Sequence, residues 1–262
     1  MNQIEDLSFQ DISNLAKATQ QLADNVVGQA SVNQAFADRM MKIDAQLQSL
    51  IKRVDVLATS GGLGRQNSLY LGDHLALTRV LGRFKMYIDT SNLNACAGLL
   101  ADGWEDLGVT NLLQSLLKEN LSFVDVGAGQ GYYTLAGAIA IGSHGHLDAI
   151  EADPRAVELL RRNVQINGLG EEQGGCVRVR VPASFDPDEI ETLLPEYFDV
   201  IRIAAGRDTL RVFERVKSHL QKNPQAKALL AFGAPAPEIH IAGFSCTSIA
   251  DSETVLVQRR AA

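Results

Sequence analysis

LSFVDVGAGQGYYTL, residues 121–135, opens with the apolar residues Leu121, Phe123, Val124 and Val126 and then places glycines at 127, 129 and 131. The first part reads as a short buried strand, and Tyr132 to Gly142 reads as a helix rich in small residues. A strand, a tight glycine turn and a helix N-terminus form the first unit of a nucleotide-binding α/β sheet. Glycine suits this turn because the chain reverses sharply and a ligand must approach the backbone.

The spacing Gly127-x-Gly129-x-Gly131 is one residue tighter than the dinucleotide form, whose third glycine would fall at Tyr132. Asp125 stands on the strand just before the turn. The second strand, GHLDAI at 145–150, runs into Glu151. A carboxylate roughly twenty residues beyond the glycines can accept both hydroxyls of a ribose. S-adenosylmethionine (SAM) has a ribose, a sulfonium and an ammonium but no phosphate, so an acid beside the turn favours it over a pyrophosphate cofactor. An NAD-type cofactor and an empty structural turn remain as alternatives.

FVDVGAGQGYYTL, followed by AIEADPRAVELLRRNVQINGL at 149–169, resembles FkbM-type SAM-dependent methyltransferases. LGDHLALTRVLGRFKMYIDTSNL at 71–93 and LLADGWEDLGVT at 99–110 are similar to the region ahead of the SAM motif in some of those proteins. The resemblance spans residues 70–200. It implies methyl transfer from SAM to a hydroxyl of a sugar or glycan. In that family the fourth strand leads into an acidic Ile-Asp-x-Glu-Gly motif, whereas this chain has Ile203-Ala204-Ala205-Gly206-Arg207. Both acids are absent, unless Asp208 or Arg207 substitutes through a shifted turn.

The rest of the chain alternates strands and helices, as a parallel sheet covered on both faces requires. Strands are expected at 145–150, 176–181, 198–203 and 226–232, with helices at 154–167, 187–194 and 209–220. Pro154 suits the first turn of its helix, with Asp153 as cap and Gly168 as stop. Residues 244–249 and 254–258 read as a closing hairpin. The expected fold is α/β, a Rossmann-like doubly wound SAM methyltransferase sheet with a C-terminal antiparallel hairpin, preceded by a long helical coiled coil. Three parts follow: a coiled-coil oligomerisation helix at 1–60, a linker and covering segment at 61–120, and a SAM-binding methyltransferase-like domain at 121–262.

Residues 10–58 contain no proline, one glycine and a single aromatic, Phe36. The a positions would be Ile12, Thr19, Val26, Asn33, Met40, Leu47 and Val54. The d positions would be Leu15, Leu22, Gln29, Phe36, Ile43, Leu50 and Leu57. Seven heptads in one register predict self-association, with a dimer favoured over a trimer by the β-branched a positions and by Asn33. A helix packed on its own domain is the alternative. Ser60-Gly61-Gly62-Leu63-Gly64 reads as a hinge.

A formal net charge of −7 argues against nucleic acid as a partner. No apolar run is long enough to span a bilayer. Cys96, Cys176 and Cys246 lack metal-type spacing, so no metal is expected and free thiols in a reducing cytoplasm are the plain reading.

For the cofactor, the expected contacts are Asp125, Gly127, Gly129, Gly131 and Tyr132, with Glu151 on the ribose and Ala183 and Ser184 by the adenine. Asp102, Glu105 and His74 are the candidates to take a proton from the acceptor. The rival reading is a catalytically degenerate SAM-binding or scaffold protein, assembled by its coiled coil within a surface-polysaccharide pathway.

Overall fold

The computed structural model describes residues 68–233, 238–250 and 252–260, with single helical positions at 17, 19–21, 39 and 40. The chain divides into two units, Met1–Arg65 and Gln66–Ala262. In the first, Thr19 and Met40 are helical and exposed; the rest of the seam expected at 10–58 lies outside the described residues.

In the second unit, β1 (Ser68–Gly72), β2 (Leu75–Val80) and β3 (Phe84–Asp89) form an antiparallel three-stranded sheet in that order. In β3 the alternating residues Phe84, Met86 and Ile88 are buried. Helices α1 (Leu93–Asp102) and α2 (Leu107–Leu116) follow. The second helix starts at Leu107, where the Asp106 side chain accepts the Val109 N–H at 2.9 Å and caps it.

The alternating region then gives β4 (Ser122–Val126), α3 (Tyr132–Ile141), β5 (His146–Ile150), α4 (Pro154–Ile166) and β6 (Val177–Arg180). It continues with α5 (Pro187–Leu193), β7 (Val200–Ile203), α6 (Thr209–Lys222), β8 (Lys227–Ala231), β9 (Phe244–Ser248) and β10 (Thr254–Arg259). The strand order is β6-β5-β4-β7-β8-β10-β9, parallel except for β10, which runs antiparallel to both neighbours. Chain order reverses between β4 and β7, and such a switch point opens a crevice at the C-terminal strand ends. This is the mixed α/β, parallel-dominated sheet expected, closing hairpin included.

Side chains alternate between the two faces. Phe123, Leu147 and Val200 join one apolar cluster; Val124, Val126, Ile201 and Ile203 join another with Val212, Phe213 and Val216 of α6. Burying both faces explains the near-continuous apolar strands.

The edge of β3 is closed by two asparagines of α4 and the residue after it. The Tyr87 N–H donates to Asn163 Oδ1 at 2.6 Å, and Asn163 Nδ2 donates to the Tyr87 carbonyl at 2.9 Å. Asn167 repeats the pattern on Lys85, at 3.0 and 2.7 Å. Four helical residues rise roughly 6 Å and two strand residues roughly 6.7 Å, so successive helix turns match alternate strand residues. The amides thus stand in for a neighbouring strand. Asn163 Nδ2 also donates to the Gln130 carbonyl at 2.8 Å, which ties the glycine turn to the same clamp.

Asn163→Leu would leave the Tyr87 N–H and two carbonyls without partners at a fully buried position. A loss of about 3 kcal/mol in urea unfolding is expected, and a loss below about 0.5 kcal/mol would show that the clamp is dispensable.

Candidate functional site

The glycine turn links β4 to α3. Gly127, Gly129 and Gly131 have φ of +73°, +57° and +98°, the left-handed region. A Cβ on Gly127 would stand 2.2 Å from the Ala204 carbonyl oxygen, so β7 and the turn approach as closely as backbone allows. A Cβ on Gly129 would meet nothing within 4 Å, since that glycine faces open space. A cavity of about 310 Å³ lies against this turn. Its walls include Met86, Ile88 and Asp89 from β3, Cys96 from α1, Gln130, and Tyr132 from α3.

Asp125 and Arg202 are register partners across β4 and β7, on the face opposite Val124 and Ile201. Arg202 Nη1 donates to Asp125 Oδ1 at 2.9 Å, and Thr134 Oγ1 donates to Oδ2 at 2.8 Å. Asp125 is completely buried. The guanidinium carbon of Arg202 lies 3.9 Å from the Tyr133 ring centroid, a close cation–π stack. Burial is the largest influence and works against the charge of Arg202, but Asp125, Tyr133 and Glu105 together outweigh it, so the group stays protonated. The Arg202 Nε has no hydrogen-bond partner and is buried.

A second cavity, of about 460 Å³, adjoins the first. It is lined by Glu105, Asp106, Ala204, Gly206, Ser252 and Glu253, among others. Glu105, Tyr133 and Arg202 line both cavities. Water reaches Glu105 from the cavities, yet the protein around it raises its carboxyl above the ordinary range by desolvation, with Arg202 pulling down and Asp125 and Asp106 adding to the rise. Desolvation also pushes the Tyr132 hydroxyl up to about 12 and Tyr133 further still.

Residues 91–194 match the family profile described as "Methyltransferase small domain". This part of the chain is similar to SAM-type methyltransferase domains. Over 61 residues the chain is 38% identical to a protein of Sulfolobus acidocaldarius named "Probable cobalt-precorrin-6B C(15)-methyltransferase (decarboxylating)", and 36% identical to its namesake in Sulfurisphaera tokodaii. Those matches take in 23% of this chain and 32% of each relative, so the chain spans about a third of the length of the curated relatives it matches. Among solved structures it is similar to a methyltransferase from Geobacter sulfurreducens, at 23% identity and a TM-score of 0.46, covering 58% of this chain and 78% of that one.

SAM is the cofactor of such a domain, and the residues of the methyltransferase domain fit it. The turn leaves open space at Gly129, Tyr132 and the first two glycines line the cavity, and so does Arg202, whose Nε is buried without a partner.

Several expected contacts take other roles in the methyltransferase domain. Asp125 does not line the cavity; both its oxygens are occupied beneath the turn, because Arg202, its strand neighbour, neutralises it. Gly131 serves packing, since a Cβ there would stand 2.7 Å from Leu160 Cδ1. Glu151 is buried, and its carboxylate accepts N–H groups from Gly129, Ala152 and Asp153 at 2.7 to 2.8 Å. It holds the turn in shape before any ligand arrives. The amides of Ala183 and Ser184 donate to Glu189 at 2.5 and 3.2 Å, and neither residue lines the cavity.

Of the proton-accepting candidates, only Glu105 reaches the cavities. His74 is exposed in the β1–β2 turn with φ of +57°, and Asp102 is exposed at the end of α1. Asp208 pairs with Arg211 at 2.7 Å and neither it nor Arg207 lines a cavity, so no shifted turn replaces the missing acids. Sequence reasoning missed Asp89 and Arg202. Asp89 pairs with Arg155 at 2.6 Å at the cavity wall. Burial raises its carboxyl, but Ser91 and Arg155 outweigh this and hold it below the usual range. The signal for Arg202 was available, a lone charge inside the apolar strand Val200-Ile201-Arg202-Ile203.

Because the folded state raises the Glu105 carboxyl, it favours the neutral form. That stability is complete below the unfolded value near 4.5 and is lost as pH rises through the folded value. Glu105→Gln should therefore melt with the wild type at about pH 4 and above it at about pH 7. A gap that fails to widen over that range would show that Glu105 is fully solvated.

Proposed function

We propose that this chain is a SAM-dependent methyltransferase acting on a hydroxyl of a neutral, polyhydroxylated acceptor, a sugar or glycan. The observation that carries the reading is the pair of adjoining cavities sharing Glu105, Tyr133 and Arg202. The turn-side cavity takes the cofactor and the other takes the acceptor. Bound there, SAM supplies a methyl group on a cationic sulfur. Glu105, at the junction, takes the hydroxyl proton and becomes a neutral acid, and its raised carboxyl makes it a stronger base than an ordinary glutamate. Glu105 in this role stands in for the family acids absent at Ala204 to Gly206.

The acceptor side is acidic. Glu105, Asp106 and Glu253 line it with Ser252 and Thr254, and the one lining cation among the described residues, Arg202, is paired to Asp125. Carboxylates and hydroxyls accept hydrogen bonds from a polyol. A polycarboxylate, such as a precorrin of the kind named for the Sulfolobus acidocaldarius relative, would meet like charges there.

Of the lone-pair directions of Glu151, one remains after its three backbone bonds, and it is assigned to a ribose hydroxyl. Calorimetric titration with SAM should give micromolar binding, and Glu151→Ala should weaken it by more than about tenfold. No binding by the wild type would remove the methyltransferase reading. Binding without label transfer from methyl-labelled SAM to oligosaccharides would favour a degenerate SAM-binding protein, as the missing acids allow.

The heptads of residues 10–58 further support a homo-oligomer, a dimer before a trimer. In light scattering at micromolar concentration the full chain should be oligomeric and a chain starting at Gly64 smaller. A monomeric full chain would overturn this.

A further inference from the structure

We propose that Arg202 anchors the α-carboxylate of SAM and so selects cofactors that carry one. The inference rests on the SAM reading and goes beyond it, because Asp125 was the residue expected at the methionine end. Asp125 is sealed, with Arg202 on one oxygen and Thr134 on the other. What reaches the cavities is the guanidinium it holds.

Four observations converge. First, among the described residues Arg202 is the only cation lining either cavity. SAM carries a single carboxylate, which needs donors or a counter-charge once it leaves water. Second, the guanidinium has spare donors. Of its five N–H groups, Nη1 serves Asp125 at 2.9 Å and faces the Gly127 carbonyl at 3.4 Å. Nε and Nη2 make no hydrogen bond to the described residues, and Nε is buried in that state. Those two nitrogens form one edge of the planar fork, the arrangement that matches both oxygens of a carboxylate.

Third, the group is fixed in place. It is 7% exposed, stacked on Tyr133 at 3.9 Å and tied to β4 by the ion pair, so little rotamer freedom remains to be lost on binding. Fourth, it stands at the correct end of the turn. Glu151, assigned to the ribose, bonds to Gly129, whereas Arg202 faces Gly127, the first glycine. A cofactor laid along the turn with its ribose at Glu151 brings its amino-acid end to Arg202.

Charge balance agrees. Asp125, Arg202 and Glu105 together carry one net negative charge when ionised. SAM, with its sulfonium, ammonium and carboxylate, carries one net positive charge. Without its carboxylate the cofactor would leave the Arg202 fork unmatched.

The test compares three ligands on the full chain by calorimetry: SAM, decarboxylated SAM, and 5′-methylthioadenosine, which lacks the amino-acid part. Wild type should bind SAM at least about tenfold tighter than decarboxylated SAM. In Asp125→Asn/Arg202→Met, which removes both members of the buried pair together, that preference should fall to near parity, with methylthioadenosine affinity as the reference for any general loss of the site. Arg202→Lys keeps a charge beside Asp125 but lacks the fork, and should give an intermediate ratio. Melting curves confirm folding, and the wild-type comparison decides the matter even if a variant fails to fold. Equal wild-type affinity for SAM and its decarboxylated form overturns the proposal, as does a preference that survives in the folded double variant. If wild type binds none of the three ligands, the cofactor reading itself fails, which is a different result from SAM binding without carboxylate selection.

Discussion

A buried carboxylate and a buried guanidinium face each other across the two strands where the sheet reverses its order. Neither Asp125 nor Arg202 is tolerable there alone, since an unpaired charge at that depth costs about 3–5 kcal/mol. Together they hold β4 and β7 in register at the level where the glycine turn begins. The same guanidinium supports Tyr133 at the start of α3. Thr134, one turn into that helix, completes the Asp125 carboxylate. The first strand, the turn, the following helix and the fourth parallel strand therefore meet at one ion pair. The approach of Gly127 to the Ala204 carbonyl depends on that register.

Around this centre, polar side chains replace bonds that regular secondary structure cannot make. Glu151 gathers three backbone N–H groups at the end of β5, and Asn163 and Asn167 pair with the free edge of β3. In each case a buried backbone group would otherwise lack a partner. The effect is to bring a separate sheet, β1 to β3, against the glycine turn. Met86, Ile88 and Asp89 thereby become walls of the turn-side cavity, although they lie outside the Rossmann-like sheet. The segment ahead of the first parallel strand is held against the turn by this clamp as well as by apolar contact.

The site also shows how one residue type serves several ends. Three carboxylates, Asp125, Glu151 and Glu105, are each governed by their surroundings. Asp125 is paired with a cation, Glu151 is saturated by amides, and Glu105 opens onto both cavities without a close ion pair. Only the last is free to exchange a proton, and its surroundings favour the protonated form.

The sequence by itself determined the order of strands and helices, the glycine turn, the caps at Asp153 and Pro154, the closing hairpin and the cofactor class. These are local properties. Apolar periodicity, positive φ at Gly127 and a side chain that caps the third amide onward need only neighbouring residues. Glu105 was singled out together with His74 and Asp102, equally polar and in the same segment, and nothing in the sequence told which of the three lines the cavities. What the tertiary structure decided was which polar residues are spent on each other. Arg202 meets Asp125 across 77 positions, and Asn163 meets Tyr87 across 76. A carboxylate looks alike in sequence whether it will bind a ribose, a guanidinium or three backbone amides. Its partners are fixed only when β7 pairs with β4 and α4 packs on β3, and those contacts leave no periodic trace along the chain.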